Sequence, residues 1–216
     1  MRAKQFERLA KSYLLPHLPG YRGVQALIYY EDVSHLLRGF YFEKSSDPNS
    51  FYLSVFVQPL FIPLDHVSLS FGDRLAHMAE GADHHWELDG DETVVMDQIL
   101  EQIRTVGIPF LAQFGSLKDF PRALRRNMKV RHSAHLDEAI CYSHVLTDDH
   151  ARARTELARL RLEVTKALVN QPKRTWLAEI AARADEVEAC LGRSPHSAKE
   201  LLQTWADFTR GELEIG

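Results

Sequence analysis

The sequence predicts an α+β fold: a four-stranded antiparallel meander covered by helices, followed by an all-helical C-terminal extension. Three observations carry the prediction. Apolar and polar residues alternate between Val24 and Phe71, the pattern of half-buried strands. The period changes near Trp86–Gly90. From there almost to the end, apolar residues recur at three- and four-residue spacing, which lines one face of a helix.

The first element is a helix over 3–15, where Phe6, Leu9, Ala10, Tyr13 and Leu14 share a face and Pro16 stops it. Pro16, Pro19 and Gly20 form the exit loop. Strands follow at Val24–Glu31 and Leu36–Glu43, separated by a short polar break. Phe51–Leu60 alternates most cleanly, with Phe51, Leu53, Val55 and Val57 on one face and Tyr52, Ser54, Phe56 and Gln58 on the other. Pro59 has no amide for a ladder, so it belongs at an edge or a bulge. Val67, Leu69 and Phe71 alternate with Ser68, Ser70 and Gly72 to give the last strand. Short connections favour a meander.

The helical part opens with Asp89 as a cap and Glu92 three residues on as its capping-box partner. Val95, Met96, Ile99, Ile103 and Val106 form the face of that helix, and Gly107 ends it. Ser116 and Asp119 start a second helix with Pro121 in its first turn. Ala134–Leu146 is a third and Asp149–Val169 a fourth, striped by Leu157, Leu160, Val164 and Leu168. Thr175 caps a fifth with the face Trp176, Ile180, Ala184, Val187 and Leu191, and Gly192 lies beyond it. Ser197 and Glu200 form a capping box before Leu201, Leu202, Trp205 and Phe208. The domain boundary falls near Lys129–Ser133, giving an α+β domain over 1–130 and a helical extension over 131–216.

The chain has 216 residues and a formal net charge of −4, so no overall basic excess points to nucleic acid or an anionic membrane. The apolar stretch Val55–Leu64 is too short and too broken by Gln58, Pro59 and Pro63 to span a bilayer, and no membrane partner is expected. The first residues mix charge with no apolar run, so no signal peptide is expected and the reading is a cytoplasmic protein. Cys141 and Cys190 fall within predicted helices and read as small buried residues.

The N-terminal helix, the meander, Trp86, and the helix running into Gly107-Ile108-Pro109-Phe110-Leu111 and Phe114 resemble a family of uncharacterised bacterial α+β domains. Some members of that family are encoded beside toxin or defence genes. The resemblance covers residues 1–126. It implies a fold and a role in protein binding, and it supplies no catalytic residues. The helix pairs after residue 130 also resemble tetratricopeptide packing at Ala139, Tyr142, Leu146, Ala151 and Leu157, without the full repeat pattern.

Phosphate-binding glycine loops, a nucleophile elbow and a His-Glu-x-x-His zinc motif are all absent from the sequence. Two histidine groups have metal-ligand chemistry. Asp83, His84 and His85 form the sharper one, with His77 and His66 upstream; they serve equally as a solvated loop before Trp86. His132, His135, Asp137, Glu138 and His144 form the other, though Arg131-His132-Ser133-Ala134-His135 also reads as the polar entry to a helix. Cys141 and His144 share one predicted helix, whereas a thiolate–imidazole pair needs two elements. The carboxylates between Asp83 and Glu101 precede or cap a helix, where negative charge is favoured without catalysis. No catalytic residue and no cofactor is assigned.

The feature with the cleanest geometry is cationic. Lys118, Arg122, Arg125, Arg126 and Lys129 fall on one helical face, extended by Arg131, with Leu117, Phe120 and Leu124 on the other. This stripe suits an acidic protein surface or a phosphate backbone; no aromatic residues interleave it to stack single-stranded bases. The bland alternative is a solvated face that pairs with the chain's own acidic zone between Asp83 and Glu101. A second contact surface is the sheet face bearing Tyr52, Phe56, Tyr30 and Tyr41, unless helices cover it. The expected function is therefore non-enzymatic: a bacterial immunity or defence component that binds another protein and occludes its surface. A metal-dependent hydrolase built on Asp83, His84 and His85, and a nucleic-acid binder using the basic stripe, are the rival readings.

Overall fold

The computed structural model describes residues 3–47, 49–76, 85–88, 90–127 and 133–215. The fold is α+β, with an antiparallel sheet and an all-helical C-terminal part. Two compact units form, one comprising 1–58, 67–115 and 213–216, the other 59–66 and 116–212. Residues 116–127, which the sequence reading groups with the sheet, belong to the second unit.

In the first unit the meander runs through β1 (Tyr21–Val24), β2 (Leu27–Tyr30), β3 (Leu36–Lys44) and β4 (Ser50–Pro59). Two short strands, β5 (Gly72–Arg74) and β6 (Trp86–Glu87), both pair antiparallel with β4. The expected single strand Val24–Glu31 is in fact the turn and second arm of a hairpin. Val24 pairs with Leu27 across Gln25 and Ala26, and Gln25 takes a positive φ of 52°. Nothing in Gln-Ala advertises a turn; the hairpin is fixed from outside, where the Phe42 amide donates to the Ala26 carbonyl at 2.9 Å. The expected strand through Val67 and Leu69 is irregular instead. There the Ser68 amide donates to the Gln58 side chain at 2.9 Å rather than to a ladder. Pairing with β4 resumes only where the Val57 amide meets the Phe71 carbonyl.

Helices cover one face of this sheet. α1 (Ala3–Leu9) continues as a π turn through Leu14 and a short 3₁₀ turn over Leu15–His17. Phe6 of α1 stacks on Phe42 with ring centroids 5.0 Å apart and meets Phe51 edge-on. α2 (Glu92–Gln102) is capped by Asp91, whose carboxylate accepts from the Thr93 amide at 2.9 Å. The expected cap, Asp89, lies outside the described residues, and the helix starts two residues later than it would require. Arg8 ties α1 to α2 through Glu92 at 2.6 Å.

Gly107 does not end this helix. It sits in a π turn over Ile103–Gly107 with helical dihedrals, and α3 (Ile108–Ala112) follows directly. A Cβ at this position would lie 2.4 Å from the Phe40 ring, so glycine is present to let the helix approach the sheet. The π turn also rotates the face, which is why Val106 is half exposed rather than buried with Ile99 and Ile103.

The second unit is a four-helix bundle with one added helix, α4 (Phe120–Asn127). The bundle helices are α5 (Ala134–Leu146), α6 (His150–Asn170), α7 (Thr175–Arg193) and α8 (Pro195–Glu212). Side-chain pairs set their directions. Asp137 meets Arg159 while Cys141 meets Ala153, so α6 runs antiparallel to α5. Arg154 meets Leu191 while Arg161 meets Asp185, so α7 runs antiparallel to α6. Tyr142 meets Trp205 while Asp148 meets Lys199, so α8 runs antiparallel to α5. This is the up-down-up-down arrangement that short connections favour.

α5 is the most enclosed helix, with every residue from Leu136 to Val145 buried. Ser133 caps α5 and Asp149 caps α6. Thr175 is the first residue of α7 rather than its cap, since Arg174 holds the cap position without a side-chain bond, and Gly192 lies inside that helix. At α8 the Ser197 amide donates to Ser194 at 3.0 Å, so the capping oxygen comes from Ser194. Phe208 is half exposed, off the buried stripe of Ala198, Leu202 and Ala206. Residues 59–66 pack with these helices: Phe61 meets Phe120 edge-on, and Thr209 bridges the Leu64 amide and the Ile62 carbonyl.

Candidate functional site

The basic stripe becomes part of a groove. Ser116 accepts from the Asp119 amide at 3.1 Å and starts α4, and Phe120, Ala123 and Leu124 are buried beneath it. That burial turns Lys118, Arg122 and Arg125 outward along a recess of about 580 Å³, whose other wall is Arg152, Thr155 and Glu156 of α6. His144 of α5 also lines it. Arg126 is exposed but does not line the recess, and Lys129 and Arg131 lie outside the described residues. Arg152 is the member that the sequence reading missed. It belongs to a different helix, and only the antiparallel return of α6 brings it across from α4.

The lining carries four positive charges against the carboxylate of Glu156. Arg125 donates to Glu156 at 2.6 Å, Arg122 to Asp119 at 2.7 Å, and Arg152 lies 3.4 Å from Asp149. These partners, Asp119, Glu156 and Asp149, are not among the carboxylates between Asp83 and Glu101. Such pairs hold loosely where they are exposed, and the Arg122 side chain is 84% exposed. An incoming carboxylate can therefore replace Asp119 at little cost. Lys118 makes no ion pair among the described residues. His144 is nearly buried, and burial pulls its pKa below the usual value against the opposing pull of Asp149, so it lines the groove as a neutral ring near pH 7.

A second recess, of about 520 Å³, lies between α5, α6 and the start of α7. Trp176 is its aromatic wall, with His135 stacked on the ring at 4.8 Å and the Arg174 guanidinium 5.8 Å from the ring centre. Ala134, Ala167 and Leu177 supply apolar surface, and Asp137, Arg159, Glu163 and Gln171 are polar.

The histidine groups do not assemble. Among the described residues no three His, Cys, Asp or Glu side chains gather as metal ligands. Asp83, His84, His77 and His132 lie outside the described residues. His85 lies 2.9 Å from Glu87 and edge-on to Tyr52, and His66 pairs with Asp65. His135 stacks on Trp176, and the two carboxylates beside it face different arginines. Asp137 accepts from Arg159 at 2.6 Å, and Glu138 accepts from Arg183 at 2.7 and 3.0 Å. Cys141 is buried, and burial raises its thiol far above the reactive range.

On the sheet, Phe56 is buried, while Tyr52, Tyr30 and Tyr41 are half-buried. Arg74 lies 3.8 Å over the Tyr52 ring and Arg38 lies 5.0 Å over Tyr30, so both rings already hold a cation. No helix among the described residues is long and apolar enough to cross a membrane. No protein-family model, curated protein or solved structure matches this chain.

Proposed function

We propose that this chain is a binding protein that uses the groove between α4 and α6 to grip an acidic surface of another protein, covering that surface rather than transforming it. The observation that carries the reading is the convergence of Lys118, Arg122, Arg125 and Arg152 on one concave site. Cations at the rim steer an acidic partner, and the concave form buries its carboxylates beside them. A protein fits better than a nucleic acid for two reasons. Among the described residues no Phe, Tyr or Trp lines the groove to stack a base, and the one ring there, His144, is nearly buried. The chain's net charge of −4 also repels an extended polyanion beyond the groove itself.

Affinity capture with the tagged chain tests this. The wild type retains an acidic protein that salt and polyglutamate displace, and the double reversal Arg122→Glu with Arg152→Glu loses it. Retention of the same protein by the double variant, or a salt-sensitive gel shift with nucleic acid, would overturn the proposal.

A further inference from the structure

We infer that the basic groove and the Trp176 recess are two halves of one binding surface along α6, suited to a linear peptide with carboxylates at one end and a large apolar side chain at the other. The inference rests on the acidic-partner reading above and specifies the form of the partner.

One helix face lines both recesses. Arg152, Thr155 and Glu156 face the basic groove; Arg159, Glu163, Ala167 and Gln171 face the Trp176 recess. Apart from the adjacent Thr155 and Glu156, these positions follow one another at spacings of three and four, so successive turns of α6, with Gln171 just past its end, present them on the same side. At a rise of about 1.5 Å per residue the face is roughly 28 Å long, matching about eight residues of extended peptide.

The two floors are joined by ion pairs. Arg125 meets Glu156 at 2.6 Å, Glu156 meets Arg159 at 2.6 Å, and Arg159 meets Asp137 at 2.6 Å. Arg125 and Glu156 line the first recess, and Arg159 and Asp137 line the second. The Nε of Arg159, at the junction, lacks an acceptor among the described residues.

The two ends differ in chemistry, and that difference selects the occupant. The α4 end carries four cations against one carboxylate. The α7 end balances Arg159 and Arg174 against Asp137 and Glu163, and adds the Trp176 ring with Ala134, Ala167 and Leu177. Charge complementarity places acidic residues at the first end. The ring and its apolar neighbours place a bulky hydrophobic anchor at the second.

The test uses the full chain and labelled synthetic peptides of about eight residues, the length of the face. One peptide carries glutamates at one end and a Leu-Phe pair at the other, made in both orders; a second carries the glutamates alone. Fluorescence anisotropy at low salt should show the Leu-Phe peptide, in one order, binding at least about tenfold more tightly than the glutamate-only peptide. Trp176→Ala should remove that advantage and leave the glutamate-only affinity unchanged. Ala167→Trp, which fills the recess from a half-buried position on α6, should do the same and stands in if Trp176→Ala does not fold. Arg122→Glu with Arg152→Glu should weaken both peptides. Equal binding of the two peptides sinks the two-part surface while the acidic-partner reading stands. No binding of either peptide, with capture of a folded acidic protein intact, also sinks the peptide form alone. Failure of the peptides together with the capture experiment removes both readings.

Discussion

Glu138 and Arg183 show how a residue's surroundings decide its role. Glu138 is fully buried, and burial pushes its carboxyl pKa up. Burial also works against the Arg183 charge, but the bonds from Arg183 to Glu138 more than offset it and hold the guanidinium protonated. Tyr142 is buried beside them, with its pKa raised well above normal. Each charge is tolerable only because of the other. Glu138→Ala leaves the guanidinium without its partner and should cost about 3–5 kcal/mol. Urea unfolding checks this, and a loss below about 1 kcal/mol would show that water reaches Arg183. The sequence grouped Asp137 and Glu138 with His132, His135 and His144 as metal-ligand chemistry. It held no sign that α5 would be surrounded, because that depends on where three later helices return.

Elements followed their local chemistry wherever the chemistry was local. Ser133 caps α5 and Asp149 caps α6, since the side-chain oxygen needs only an amide three residues away. Asp91 holds that role at α2, and Asp91→Ala should lower the stability of the sheet unit by about 1 kcal/mol, read from thermal melting. An unchanged melting temperature would mean that Glu92 and its Arg8 partner hold the end alone. Gly107 misled because a helix-stop glycine and a close-approach glycine look alike in sequence. Phe40, which distinguishes them, lies on a strand far upstream. The hairpin at Gln25 was illegible for the same reason, as its register is set by Phe42 on the next strand.

At the scale of the molecule, pH acts first on the helical unit. Burial lowers the pKa of both His135 and His144 below 6.5. The folded form therefore binds fewer protons there than the unfolded chain. The stability these groups lend is complete above 6.5 and falls as pH drops through their folded values. Glu138 acts in the opposite sense, because its raised pKa favours the folded state as pH falls. In the sheet unit Glu92 and Asp47 have lowered pKa values, the first through Arg8 and the second through the Asn49 amide, and they lose their contribution only near the ordinary carboxylate range. Melting temperature should fall between about pH 7.5 and 5.5, and the fall should flatten in a variant carrying His135→Gln and His144→Gln. Equal slopes in the two proteins would assign the loss elsewhere.

The sequence by itself determined the α+β class, the helices of the C-terminal part and the cationic face of α4. Each follows from periodicity or capping within a few residues of one another, and short-range sterics and hydrogen bonding suffice to fix them. Only the tertiary structure decided that this face fronts a groove, that Arg152 of α6 joins it, and that Trp176 of α7 stands beside the far end of α6. Those placements depend on antiparallel returns that bring distant turns together, and burial of the whole bundle, rather than any local pattern, selects them.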